Sequence, residues 1–264
     1  MKGKEATLFV DQQPPLQRGK GDMPPEPRYV RIGSATIYAE ISGAGNPLIL
    51  IHGLGGSTRW WARNVPALAR FWRVHVVDLL GFGRSRGQRF VLHKAAELLV
   101  NWMDALGLCR ASVVGHSMGG LIGAHLAAQS PDRVERLVLV DAAAMPLERL
   151  SPRDAWRMMW GLQHLPLTLL PVLCADALRA GPRTVLNALR ELLRTDISAD
   201  LARVEAPTLI VWGEHDATLP VAVGRRVHAC LRQATFLVIK DAGHCPMWQC
   251  PDVFNDAVIQ FLKQ

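Results

Sequence analysis

The chain is poor in tyrosine, with two residues against eight tryptophans, and its five cysteines include no C-x-x-C pair. An odd number without that spacing argues against a disulfide framework or a zinc site as the basis of the fold. No apolar stretch approaches the length of a membrane span, so stable membrane insertion is not expected. The apolar run Ala6–Val10 is interrupted by Thr7 and too short for the core of a signal peptide, which makes a cytoplasmic location the simpler expectation. Runs of lysine and arginine are missing as well. The excess of 30 basic over 23 acidic residues and the pI near 9.5 are therefore spread along the chain and point to no nucleic-acid partner.

What is present is ample core-forming material. Hydrophobic residues make up 49% and charged residues 20% of 264 positions, ordinary proportions for a globular enzyme. Residues 1–28, rich in Pro, Gln, Gly and charge, read as a flexible leader unable to bury enough apolar surface to order itself. Beyond it, "RYVRIGSATIYAEISG" alternates around Gly33-Ser34 as a hairpin does. "LILIHG" (48–53), "RVHVVD" (73–78), "ASVVGH", "VERLVLVD" (134–141), "PTLIVWG" (207–213) and "TFLVIKD" (235–241) are compact apolar runs of the kind buried in parallel sheets. Helical patterns separate them at 58–71, 91–108, 118–130, 220–231 and 251–263. Strands alternating with helices predict an α/β fold: a mostly parallel sheet covered on both faces, formed by 29–141 and 207–264. The segment 142–206 lacks strand signals and is helical and apolar. It is expected to be a cap inserted after the sixth strand, over the carboxyl ends where ligands of open α/β sheets bind.

Gly115-His116-Ser117-Met118-Gly119 fits G-x-S-x-G between a strand and a helix. That pattern forces a sharp turn that presents the serine, with small flanking residues letting the backbone pass closely. A nucleophilic serine needs a base, and the base an orienting carboxylate, in the chain order Ser, acid, His. "IVWGEHD" and "IKDAGHCP" supply Asp216 and His244, each just past the end of a predicted strand. Asp141 is an alternative acid at the end of an earlier strand, whereas Asp241 lies too near His244 in sequence and Asp78 is expected to order its own turn. The backbone amides of Leu54, in "HGLGGS", and of Met118 are the candidate oxyanion donors. His52 is expected to brace its loop. His116 should point away from the Ser117 hydroxyl, since neighbouring residues at a strand end face opposite sides.

With these residues in place, the sequence resembles the α/β-hydrolase superfamily, and within it the small lidded esterases, C–C hydrolases and cofactor-free haloperoxidase-like members. The stretches that carry the resemblance are "LILIHGLGGS", "VVDLLGFGRS", "VVGHSMGG", "PTLIVWGEHD" and "DAGHCPMWQCP". The resemblance implies Ser117 as nucleophile, Asp216 as acid, His244 as base, and the Leu54 and Met118 amides as oxyanion donors, with no cofactor or metal. A serine at the elbow points away from dehalogenases and epoxide hydrolases. Gln249 stands where many relatives carry a structural glutamate, and Cys245 and Cys250 flank the same loop.

The expected reaction is hydrolysis of a small-molecule carboxylic ester with an apolar, short- to medium-chain acyl group, through an acyl-enzyme. Trp60, Phe82, Trp156, Met159 and Trp160 are the candidate pocket walls. The arginines of the insertion (Arg149, Arg153, Arg157, Arg179, Arg183, Arg190 and Arg194) keep a second reading open: an acidic substrate, either for C–C bond hydrolysis or an acyl-carrier-protein ester. An enzyme acting at a lipid surface and a non-catalytic receptor on the same fold are further alternatives. Whether the protein is a monomer or a homodimer is left open by the sequence.

Overall fold

The computed structural model describes residues 24–85, 89–145 and 166–264. Most of the expected leader, and Trp156, Met159, Trp160, Arg149, Arg153 and Arg157 of the insertion, lie outside these residues. The first strand begins at Glu26, within the last residues of the expected leader.

Strands β1 (Glu26–Ile32), β2 (Ala35–Ser42), β3 (Pro47–Ile51), β4 (Arg73–Val77), β5 (Ala111–His116), β6 (Val134–Val140), β7 (Thr208–Gly213) and β8 (Ala234–Ile239) form one sheet in the order β1-β2-β4-β3-β5-β6-β7-β8. β2 pairs antiparallel with both β1 and β4, and every later pairing is parallel. Helices are α1 (Val65–Leu68), α2 (Ala95–Ala105), α3 (Met118–Gln129), α4 (Leu170–Ala180), α5 (Pro182–Arg194), α6 (Ser198–Leu201), α7 (Val221–Cys230), α8 (Pro246–Gln249) and α9 (Pro251–Leu262). None of the described helices is long and apolar enough to cross a membrane.

The inner strands β3 to β7 are apolar on both faces because both faces are covered, and the strand period of two divides each run between two cores. Ile49 and Ile51 of β3, Leu137 and Leu139 of β6, and Ile210 and Trp212 of β7 pack with Leu99 and Met103 of α2 and Leu121 and Ile122 of α3. The intervening Leu48, Leu50, Val138, Val140, Leu209 and Val211 meet Phe254 and Val258 of α9 and the tryptophans of the segment after β3.

That segment departs from the expected helix over 58–71. A 3-10 turn over Thr58–Trp61 is followed only by the short α1. Trp60 and Trp61 are consecutive and both buried, a placement awkward for the single apolar stripe of a helix. Asn64, also buried, donates from its amide to the Met247 carbonyl and to Asn255 Oδ1, at 2.9 Å each. The helix expected over 91–108 similarly begins as a 3-10 turn at Leu92–Lys94.

Between β6 and β7 the regular elements among the described residues are all helices, α4 to α6. The insertion is fastened to the sheet domain at several points: Glu191 Oε2 accepts the Leu92 amide at 2.7 Å, Asp200 Oδ2 lies 2.8 Å from His125 Nδ1, and two further ties reach the loops after β3 and β8. The fully buried carboxylate of Asp176, on α4, accepts the Ser57 hydroxyl at 2.7 Å and the Arg59 guanidinium. Trp248 of α8 donates from Nε1 to Thr168 Oγ1 at 2.9 Å.

Candidate active site

β5 delivers the chain to Ser117, which adopts φ 52°, ψ −116° before α3 begins. A non-glycine residue with positive φ is costly unless its surroundings hold it. Here the Ser117 amide donates to the Val140 carbonyl at 2.9 Å and its carbonyl accepts from the Ala143 amide at 3.1 Å. The flanking glycines permit the close passage. A Cβ at Gly115 would run into the backbone of Gly119 and Gly120, and one at Gly119 would stand 2.5 Å from the Ile51 carbonyl oxygen. The turn therefore wedges the start of α3 against the end of β3. The helix leaves its first amides, Met118 included, without intrahelical acceptors.

His244 follows β8 and Asp216 follows β7. His244 Nδ1 lies 2.7 Å from Asp216 Oδ2, while Asp216 Oδ1 accepts the Thr218 and Leu219 amides at 2.7 and 2.9 Å. Burial works against an ionised Asp216, but the adjacent His244 and the hydrogen bonds its carboxylate receives hold it below the usual carboxylate range. Because the carboxylate accepts a hydrogen bond from Nδ1–H, that nitrogen keeps its proton and Nε2 of His244 carries the free lone pair.

The loop carrying His244 is held from several sides. Gln249 Oε1 accepts the amides of Gly243 and Cys245, at 3.0 and 3.4 Å, so the side chain braces the residues on either side of the histidine. His116 Nε2 donates to the His244 carbonyl at 2.7 Å. Its ring is fully buried, and burial, aided by the neighbouring His244, pushes its pKa down to about 3. His116 is thus a neutral brace behind the elbow. Cys245 is buried and burial pushes its thiol pKa up, away from thiolate reactivity.

His52 braces its own loop: Nδ1 donates to the Gly53 carbonyl at 2.7 Å and Nε2 accepts the Leu79 amide at 3.0 Å. Asp78 does more than order its own turn. It accepts the Arg84 amide and also the Thr58 amide, each at 2.6 Å, linking the turn after β4 to the glycine-rich loop after β3.

Ser117 and His244 open into one cavity of about 250 Å³. Leu54, Trp60, Met145, Leu189 and Leu192 give it an apolar wall. Besides Ser117, its polar side chains among the described residues are those of His116, His244 and Thr218. Phe82 is a correction to the expected pocket: it is fully buried in the core against Phe90 and His52, and takes no part in the wall. None of Arg179, Arg183, Arg190 and Arg194 lines the cavity. The leucines of α5 and the hydroxyl of Thr218 were missed from sequence. A signal for the former exists in "VLNALRELL", whose leucines recur at helical spacing.

Asp141, the alternative acid, does not bond His244. It is fully buried after β6, with φ 41°, and its Oδ1 accepts the Gly213 amide at 3.0 Å.

Comparison with known proteins agrees with this architecture. Residues 46–178 match the family described as "alpha/beta hydrolase fold", and 192–264 one described as "TAP-like protein". RutD of Caulobacter sp., named as a carbamate hydrolase, is 32% identical over 259 residues, covering 86% of this chain and 96% of that protein. The pimeloyl-[acyl-carrier protein] methyl ester esterase of Pectobacterium carotovorum is 31% identical over 260 residues, covering 87% and 99%. A bromoperoxidase from Bacillus anthracis superposes with a TM-score of 0.79 at 26% identity, over 90% of this chain and all of that one (100%).

Proposed function

The chain belongs to the α/β-hydrolase fold family, and from that premise we propose that it is a serine hydrolase cleaving carboxylic esters of apolar, short- to medium-chain acyl groups. The observation that carries the reading is a strained serine and a carboxylate-bound histidine opening into one apolar cavity. In the proposed reaction Ser117 Oγ attacks the ester carbonyl and passes its proton to His244 Nε2. Asp216 stabilises the resulting imidazolium, and the amides of Leu54 and Met118 receive the oxyanion. The imidazolium then protonates the departing alcohol. Water attacks the acyl-enzyme by the reverse sequence, with His244 again accepting the proton. Residues 142–206 act on this reading as a cap that closes the acyl site.

Apolar walls favour an uncharged acyl group over an acidic one, because a buried carboxylate without a partner is strongly disfavoured. Relatives named as hydrolases of a carbamate, an acyl-carrier-protein methyl ester and 2-hydroxy-6-oxononadienedioate span several substrates without selecting one. The test is a fluorophosphonate probe together with a p-nitrophenyl ester series. Labelling of the wild type and not of Ser117→Ala, with turnover best on short to medium chains, is expected. Labelling that survives Ser117→Ala, or turnover confined to acidic substrates, would overturn the proposal.

A further inference from the structure

The mechanism above leaves unused a buried carboxyl group that lies beside Asp216. Oxygen atoms of Asp141 and Asp216 and a ring nitrogen of His244 all lie within 4.8 Å of one another. Asp141 Oδ1 has the Gly213 amide, but no backbone amide, hydroxyl or amino group among the described residues donates to Oδ2. Two ionised carboxylates so close in a buried site repel by about 4 kcal/mol even at an effective dielectric constant near 20, so the pair holds a proton.

The distribution of donors decides which carboxyl carries it. Asp216 receives His244 Nδ1–H and the amides of Thr218 and Leu219, whereas Asp141 receives the Gly213 amide alone. Negative charge therefore settles on Asp216 and the proton on Asp141. We propose that Asp141 is a carboxylic acid at neutral pH whose Oδ2–H donates to Asp216, making it a positioning residue that fixes the Asp216 carboxylate against His244. This role rests on the serine-hydrolase reading. Burial and the Asp216 charge keep the Asp141 carboxyl well above its ordinary range, consistent with that assignment. Among the described residues, two other titratable groups near the pair are held neutral: Cys245, whose thiol is pushed up by burial, and His116, whose ring is pushed down. Asp141 thus supplies a hydrogen bond without adding a second negative charge beside the imidazole.

Asp141→Asn tests this directly, since its amide keeps an acceptor for Gly213 and gives Asp216 a neutral donor. The acid-side midpoint of the kcat/KM pH profile is expected to stay where it is, with kcat/KM within a few-fold of wild type. Were Asp141 ionised, the same substitution would delete a negative charge beside the imidazolium and lower that midpoint by about one unit or more, which would overturn the proposal. Asp141→Leu, which has no donor, is expected to lose about tenfold or more in kcat. Should the leucine variant not fold, infrared difference spectroscopy of wild type against Asp141→Asn gives the answer without it. A protonated-carboxyl carbonyl band at neutral pH, present in wild type and absent in the variant, is expected, and its absence from wild type would refute the assignment. That band needs no turnover. Failure of the serine-hydrolase reading would show separately, as absent probe labelling.

Discussion

His116 Nε2 donates to the main-chain carbonyl of His244, 2.7 Å away, although 128 residues separate the two in sequence. The residue beside the elbow serine thus holds the backbone of the proposed base, while its own ring, neutral and with its pKa pushed down to about 3, is a weak base. On this arrangement His116→Ala is expected to lower kcat/KM about tenfold, the worth of one buried hydrogen bond, and His116→Gln to recover part of it. His244→Ala should lower it by about a thousandfold or more. Steady-state kinetics on one ester checks the ranking, and equal losses in the two alanine variants would contradict it.

The same burial gives His116 a signature in stability. Its folded-state pKa, about 3, lies below the ordinary imidazole value of 6.5, so on acidification the unfolded chain binds a proton that the folded chain refuses. This contribution leaves stability intact above about pH 6.5 and erodes it as pH falls towards 3. The slope approaches about 1.4 kcal/mol per pH unit within the window. Denaturant unfolding at pH 7, 6, 5 and 4 should therefore show wild type losing stability faster than His116→Gln. Parallel curves would mean that the ring charges in the folded protein.

Asp176 links the insertion to the loop that carries Leu54, through the Ser57 hydroxyl and the Arg59 guanidinium. Asp176→Ala and Ser57→Ala are each expected to weaken catalysis, and the double variant to weaken it by less than their sum. The coupling should be about 1.5–3 kcal/mol, as for hydrogen bonds to a charged group. A double-mutant cycle on kcat/KM measures it, and strict additivity would mean that the tie has no bearing on turnover.

Leu189 bounds the cavity from α5. Leu189→Ala should move the preferred ester towards longer acyl chains, with each extra buried methylene worth about 0.8 kcal/mol, or roughly fourfold in kcat/KM. Leu189→Trp should move it the other way. A chain-length series that responds to neither substitution would place the acyl group elsewhere.

Gly119→Ala should be severely destabilising, by about 3 kcal/mol, because its Cβ meets main chain rather than a movable side chain. The denaturant midpoint reports this, and an unchanged midpoint would show that α3 can shift away from β3.

Much of this was legible in the sequence, for identifiable reasons. The apolar runs of β3 to β7 are buried on both faces, so composition alone marks them as inner strands. Ser117, Asp216 and His244 each follow a strand run directly, and parallel pairing then carries their side chains to one end of the sheet. Interactions that depend on which loops meet were not legible. Trp60 and Trp61 look like one turn of a helix, but their partners lie in different places: His116 beside Trp60, and Phe254 beside Trp61. Phe82 follows a glycine-rich turn as a pocket residue would, yet the turn folds it inward against Phe90. Asp176 sits in an apolar helical run with no local hint of its partners, which come from 119 and 117 residues earlier.

The attachment points of the insertion bear on how such a protein can change. Of these, one lands on Ser57, in the loop that presents the Leu54 amide, and another on Trp248, four residues beyond His244. A graft of foreign helices between β6 and β7 would abandon Asp176 and Thr168 along with the old pocket wall. It would leave Arg59, Ser57 and Trp248 to find new partners beside the reacting groups. Exchange of substrate range by swapping this segment is therefore constrained to inserts that bring their own anchors for both loops, and single substitutions along α5 are the less disruptive route to a new acyl preference.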